Sequence, residues 1–223
     1  GFRAFKIGWG PFGHHGAASD EAIVKAAREA IGTDSKLMVD AGGSDAYWPN
    51  DYKWALNTSK MLAEYDVHWF EEPLLPDALE DYAKLREHSS VPISGGEVFT
   101  RRQEFRPWLK AHAFDIVQPD VTKVGGISEE RRIAWMAQEQ GIRFIPHGWN
   151  TAVGLAADLQ LASAFPNTNF VEYLTGSPFI DKITVGGWNL DADGMLEIPS
   201  RPGLGLELDP ELVEKYTGVS HLL

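Results

Sequence analysis

The sequence predicts an α/β fold, a (β/α)7β barrel of the TIM type entered at its second strand. Three observations predict it. Short apolar runs rich in Val, Ile and Phe alternate with helical stretches along the chain, the pattern of a parallel sheet covered by helices. The runs end in a lysine, carboxylate or histidine, and these ends recur every 23 to 34 residues, one βα unit at a time. Finally, GWGPFG at 8–13 fits neither GxGxxG nor GK[ST], as a doubly wound nucleotide-binding sheet would require.

The strands are read in order as FRAFK (2–6), KLMVD (36–40), VHWFEE (67–72), VPISGGE (91–97), FDIVQPD (114–120), IRFIPH (142–147) and NFVEY (169–173). The helix SDEAIVKAAREAIG follows the first, with Ser19 or Asp20 as N-cap and Gly32 as stop. DYKWALNTSKMLAEY, PDALEDYAKLREHS and SEERRIAWMAQEQG read alike, the last capped by Ser128 and stopped by Gly141. TAVGLAADLQLASAF is a more apolar helix. A complete barrel has eight strands and about 250 residues. Seven strands in 223 residues predict a first strand upstream of Gly1. The barrel is read as 1–176, and 177–223 as a C-terminal segment returning towards a capping domain outside the chain.

A chain that is 43% apolar carries a proper core. Its net charge of −12 argues against nucleic acid and anionic membrane as partners. With no cysteine, thiolate chemistry and Cys-based metal sites are excluded. No 18-residue apolar run and no leader are visible, and the expected location is cytoplasmic.

The strand-end residues are Lys6, Asp40, Glu71, Glu97, Asp120, His147 and Glu172. Asp40, Glu71 and Glu97 close three consecutive strands and would converge at one mouth. Three carboxylates in low dielectric need a cation, and all-oxygen ligation suits a hard ion, Mg²⁺. Glu72 competes with Glu71, but neighbouring strand residues point to opposite faces, so one of them is the ligand. Asp120 stands one strand from His147, where it can hold the imidazole tautomer of a general base. Glu172 either donates a hydrogen bond to an oxyanion when protonated or caps a helix. A hard metal, an Asp–His dyad and a lysine together fit removal of a proton next to a carboxylate.

The stretches GFRAFK, LMVDA, WFEEP, ISGGE, IVQPDVTKVGG, IPHGW and VEYL, then DGMLEIPSRPGLGLELD, resemble the barrel of the enolase superfamily, mandelate racemase branch. The resemblance implies Asp40, Glu71 and Glu97 as Mg²⁺ ligands, Asp120 and His147 as the dyad, and Glu172 as electrophilic helper. It implies Lys123 as a neighbour of the site, a small carboxylate as substrate, a homo-oligomer, and a capping domain built mostly before the barrel. Racemases of this branch carry K-x-K at the end of strand 2: the first lysine lies against the substrate carboxylate, and the second is the base on the face opposite the histidine. Here the stretch is Lys6-Ile7-Gly8: Lys6 aligns with the first lysine and the second is missing. The expected activity is therefore dehydration of a sugar acid, an aldonate or aldarate, through an enediolate. A racemase, epimerase or cycloisomerase of the same branch is the alternative, and a non-catalytic fragment or acid-binding barrel is the alternative of another class. His14 or His15 is the candidate for the missing acid, and Trp149, with Trp9, Phe12, Tyr47 and Trp48, for the pocket wall. His68, His88, His112 and His221 have no constellation.

Overall fold

The computed structural model describes residues 1–45 and 47–217; His221 lies outside them. Six parallel strands stand in sequence order: β1 (Ala4–Gly8), β2 (Lys36–Asp40), β3 (Val67–Glu71), β4 (Ile93–Gly95), β5 (Ile116–Val117) and β6 (Arg143–Phe144). Each pairs with its neighbour in sequence, and residues of the intervening helices pack with strand residues in the main core. These are α1 (Ala17–Ile31), α2 (Tyr52–Glu64), α3 (Leu79–His88), α4 (Arg102–Lys110), α5 (Val121–Val124), α6 (Ile127–Glu139) and α7 (Ala152–Ala162). The order is that of a barrel built one βα unit at a time.

The seventh expected strand, 169–173, forms no ladder. Side chains dock it against β6 instead: Thr168 Oγ1 donates to the Phe144 carbonyl at 2.8 Å. Several strands end earlier than their apolar runs suggest. Glu97, Asp120 and His147 stand two or three residues beyond β4, β5 and β6. Pro119 and Pro146 precede the last two, and proline has no N–H to give a ladder.

The helix caps also differ from expectation. Gly16 and Gly126, not Ser19, Asp20 or Ser128, cap α1 and α6; the Asp20 carboxylate instead accepts the Gly13 N–H at 2.7 Å. Gly32 does end α1, and Asp51 caps α2 by accepting the Trp54 N–H at 3.0 Å. Helix α4 was not legible, since it runs through Pro107, a residue that usually breaks a helix.

Alternation along the strands divides the interior. Val39, Phe70 and Phe144 face the helices in the main core. Met38, Trp69, Ile116 and Ile145 form a second cluster, with Ala4 and Phe170 against it. Each of these six lies two residues before Lys6, Asp40, Glu71, Gln118, His147 or Glu172. Period-2 geometry puts residue and partner on one face, so this apolar plug forms the floor of the polar site. After Ser177, α8 (Pro178–Asp181) sets Ile180 against Leu155 and Leu159 of α7. The segment then reaches back to β1, where Arg3 meets Asp193 at 3.7 Å, and ends in α9 (Pro210–Thr217).

Candidate active site

Asp40, Glu71 and Glu97 each present a carboxylate oxygen, all within 4.8 Å of one another. Asp40 and Glu71 are buried, and Glu97 is partly so. The Gly42 N–H and the Trp69 indole N–H orient the first two, donating to Asp40 and Glu71 at 2.9 Å each. Burial raises both carboxyls, Glu71 adding to the effect on Asp40 and Lys6 opposing it at Glu71. Such a set fits a hard divalent cation: all donors are oxygens, fixed by their own hydrogen bonds, and the raised carboxyls mark negative charge that a cation would neutralise. Glu72 is turned from the set, at a φ of 41°. Burial, then Glu97, pushes it up to about 7.

Lys6 Nζ lies 2.5 Å from Glu71 and from Glu172, and 3.8 Å from Asp40. Burial alone would lower this amine, but the three carboxylates raise it well above its ordinary value. Glu172 differs from the reading of a protonated donor. It accepts from Lys6, Gln118 and the Gly148 N–H. Burial pushes it up, yet Lys6 and His147 outweigh that and hold it below the usual carboxylate range. Here it accepts hydrogen bonds and donates none.

The dyad is formed. Asp120, fully buried, N-caps α5 and accepts from both the Thr122 N–H and hydroxyl. Its other oxygen lies 2.8 Å from His147 Nδ1, while Nε2 faces Glu97 at 3.0 Å. Burial would lower the imidazole, but hydrogen bonds to Asp120 and Glu97 push it up to about 10. Lys123 Nζ stands 3.7 Å from Glu97 and 3.8 Å from Asp120, bridging dyad and carboxylates.

His14 and His15 stand apart from this cluster. Both are exposed, and the His14 ring stands edge-on to Trp48 at 5.5 Å. Phe12 and Trp48 are core residues, whereas Trp149 is exposed and meets Trp9. Sequence reasoning missed Gln118, Trp69 and Thr122. The signal for the first two was parity: Gln118 shares a face with Asp120, and Trp69 with Glu71. Gly8 is paired with Asp40 and Lys6 with Met38, so Lys6 and Gly8 share the inner face. At a φ of 125° a Cβ on Gly8 would run into the Asp40 carbonyl; a second lysine does not fit this backbone.

The family described as "Enolase C-terminal domain-like" matches residues 1–212. The chain belongs to this family. Among curated relatives it is 35% identical to D-galactarolactone cycloisomerase of Agrobacterium fabrum, the match covering 97% of this chain and 57% of that protein. It is equally 35% identical to arabinonate dehydratase of Saccharolobus solfataricus, over 97% and 56%. Among solved structures, the 3,6-anhydro-D-galactonate cycloisomerase of Zobellia galactanivorans superposes with a TM-score of 0.86 at 32% identity, covering 97% and 59%. L-Talarate dehydratase of Polaromonas sp. JS666, complexed with Mg and L-glucarate, gives 0.83 at 29%, over 96% and 55%. The chain thus spans a little over half the length of these relatives. No helix among the described residues is long and apolar enough to cross a membrane.

Proposed function

We propose that this chain carries the catalytic barrel of a Mg²⁺-dependent sugar-acid dehydratase, a hydro-lyase that removes the proton α to a carboxylate. The observation that supports it most is the contact of His147 Nε2 with Glu97 at 3.0 Å, which sets the imidazole of the dyad at the edge of the carboxylate triad. Asp120 engages Nδ1, so Nε2 is the atom that takes the proton. Carboxylates at both nitrogens favour the protonated form of His147; the base form is favoured once the Glu97 charge is engaged elsewhere.

A divalent cation held by Asp40, Glu71 and Glu97 would supply positive charge at the substrate carboxylate and so acidify the neighbouring C–H. Lys6, kept charged by three carboxylates, stabilises the enediolate as charge develops on its oxygens. Loss of the β-hydroxyl then gives a 2-keto-3-deoxy acid. Gly8 argues against a two-base racemase. Cycloisomerisation is the second reading, favoured by the names of two relatives, and it begins with the same proton abstraction. The reading carries further proposals: a homo-oligomer, a cytoplasmic location, and a division at 176, with 177–223 running towards a cap.

The test is exchange of the α-proton in D₂O across a panel of aldonates and aldarates, followed by keto-acid assay, with and without EDTA. Exchange and product that both need the metal are expected. Exchange indifferent to EDTA removes the metal assignment, exchange without water loss favours the second reading, and no exchange with any acid favours an acid-binding barrel.

A further inference from the structure

Gly154 stands in the first turn of α7, where alanine would serve the helix better. Its neighbour explains the glycine: a Cβ there would strike the Asn150 side-chain amide at Oδ1, Cγ and Nδ2. Gly154 thus opens a seat for Asn150 against α7. Both Oδ1 and Nδ2 are buried, and neither has a hydrogen-bond partner among the described residues. One turn further along α7 comes Asp158, with Glu130 of the adjacent α6 beside it. All four of their carboxylate oxygens are buried and unpartnered too. Asn150 is near enough to Asp158 to oppose the rise that burial, then Asp120, imposes on its carboxyl. A native fold leaves few buried polar groups unsatisfied, so a row of them from Asn150 through Asp158 to Glu130 needs a cause.

Protonation supplies it. A carboxylic acid and a primary amide match, since the acid O–H donates to Oδ1 and the amide N–H donates to the acid carbonyl oxygen. A carboxylate only accepts, and leaves Oδ1 unpartnered. The surroundings favour the acid. The charges around Asp158 are Glu130 of α6, Asp120 at the N-cap of α5, Glu172 and His147. Lys123 of α5 faces Glu97 and Asp120 instead, and α8 meets α7 through Ile180. Asn150 closes the loop that begins at His147 and leads into Thr151, the N-cap of α7. At its start the His147 N–H donates to the Pro119 carbonyl at 3.0 Å, and the next N–H, of Gly148, holds Glu172.

We propose that Asp158 is a positioning residue for the dyad: as a neutral acid it binds the Asn150 amide and so pins to α7 the loop that carries His147 and Gly148. The proposal rests on the reading above and adds to it a residue that touches no reacting atom. When Asp158 releases its proton to solvent, the donor to Oδ1 is lost and the new charge repels Asp120 and Glu172, which loosens the loop.

A first readout needs no substrate. Trp149 precedes Asn150 in the loop, and ¹⁵N labelling of the tryptophan indoles gives it one peak, the one lost in Trp149→Phe. In the whole protein with Mg²⁺ that peak should move with a midpoint of about pH 8. Asp158→Asn, which keeps a donor and an acceptor at every pH, should abolish the movement. The second readout is α-proton exchange at pH 7 with the acids of the panel above. Asp158→Ala and Gly154→Ala, which evicts Asn150, should each slow exchange about tenfold in kcat, the weight of one buried hydrogen bond. KM should stay within about twofold, as the substrate contacts are untouched, and Mg²⁺ binding should persist. Asp158→Asn should recover most of the loss, and above pH 8 it should outpace the unaltered protein. Gly154→Ala carries the test should Asp158→Ala fail to fold. An indole peak that is indifferent near pH 8, or that moves alike in Asp158→Asn, overturns the proposal. So does exchange at the original rate in either alanine variant, or no recovery in Asp158→Asn. If no acid exchanges with the unaltered protein, the lyase reading falls, and the indole peak alone decides whether Asp158 holds the loop.

Discussion

Two groups of buried carboxylates lie within this barrel, and their surroundings differ. At the mouth, Asp40, Glu71, Glu97, Asp120 and Glu172 are interleaved with Lys6, Lys123 and His147. Behind the dyad, Glu130 of α6 and Asp158 of α7 are 0% and 1% exposed. None of their four carboxylate oxygens has a hydrogen-bond partner among the described residues. No cation stands with them; Asp120 and Glu172 add to their charge, and His147 and Asn150 oppose it weakly. Burial, then Asp120, pushes Asp158 up to about 8, and burial, then Asp158, raises Glu130 well above its ordinary value. The lesson is that burial alone does not make a carboxylate functional. At the mouth, burial still raises Asp40 and Glu71, but against it Lys6, Lys123 and His147 hold Glu97, Asp120 and Glu172 below their ordinary values; behind it little offsets burial, and both carboxyls are pushed up.

This contrast can be broken at several points, the largest first. His147→Asn should abolish α-proton exchange, a loss of about 10⁴-fold or more for a sole base, read by NMR in D₂O. Asp120→Asn should slow exchange less, through loss of the tautomer, with metal binding intact. If exchange in His147→Asn stayed near the original rate, Lys6 would be the base.

Next in size, Asp158 should shape stability against pH. Its folded value of about 8 exceeds the unfolded value of about 4, so unfolding releases a proton. Stability is fully present below about pH 4 and falls as pH rises to about 8, by several kcal/mol in all. Denaturant melts of Asp158→Asn should lose most of this slope. An unchanged slope would place the titration elsewhere.

Lys6→Met should leave the fold intact, with unchanged far-ultraviolet dichroism, while exchange slows sharply. Smallest is the exposed pair of Arg201 and Glu207, at 3.3 Å: Glu207→Ala should barely move the midpoint of a denaturant melt, as solvent screens such pairs.

The contrast also explains what was legible in the sequence. The mouth was, because strand-end spacing and parity place Lys6, Asp40 and Glu71 on one face whatever the packing. Glu97, Asp120 and His147 were legible although their strands stop short, since the βα rhythm survives a few unpaired residues. Glu130 and Asp158 were not: on amphipathic and apolar helices a carboxylate reads as solvated until α6 is packed against α7. The charge state of Glu172 stayed open in the sequence for the same reason, since Lys6 reaches it across the mouth from 166 residues away. A strand at 169–173 was expected and is not formed, because an apolar run does not reveal whether its backbone finds a ladder.

The most direct test of the central claim, that the mouth group is a metal centre and the rear group is not, is calorimetric titration of Mg²⁺ into the whole protein. One site is expected, lost in Glu71→Gln and kept in Glu130→Gln and Asp158→Asn. Mg²⁺ binding that survives Glu71→Gln, or that vanishes in folded Glu130→Gln or Asp158→Asn, would contradict it.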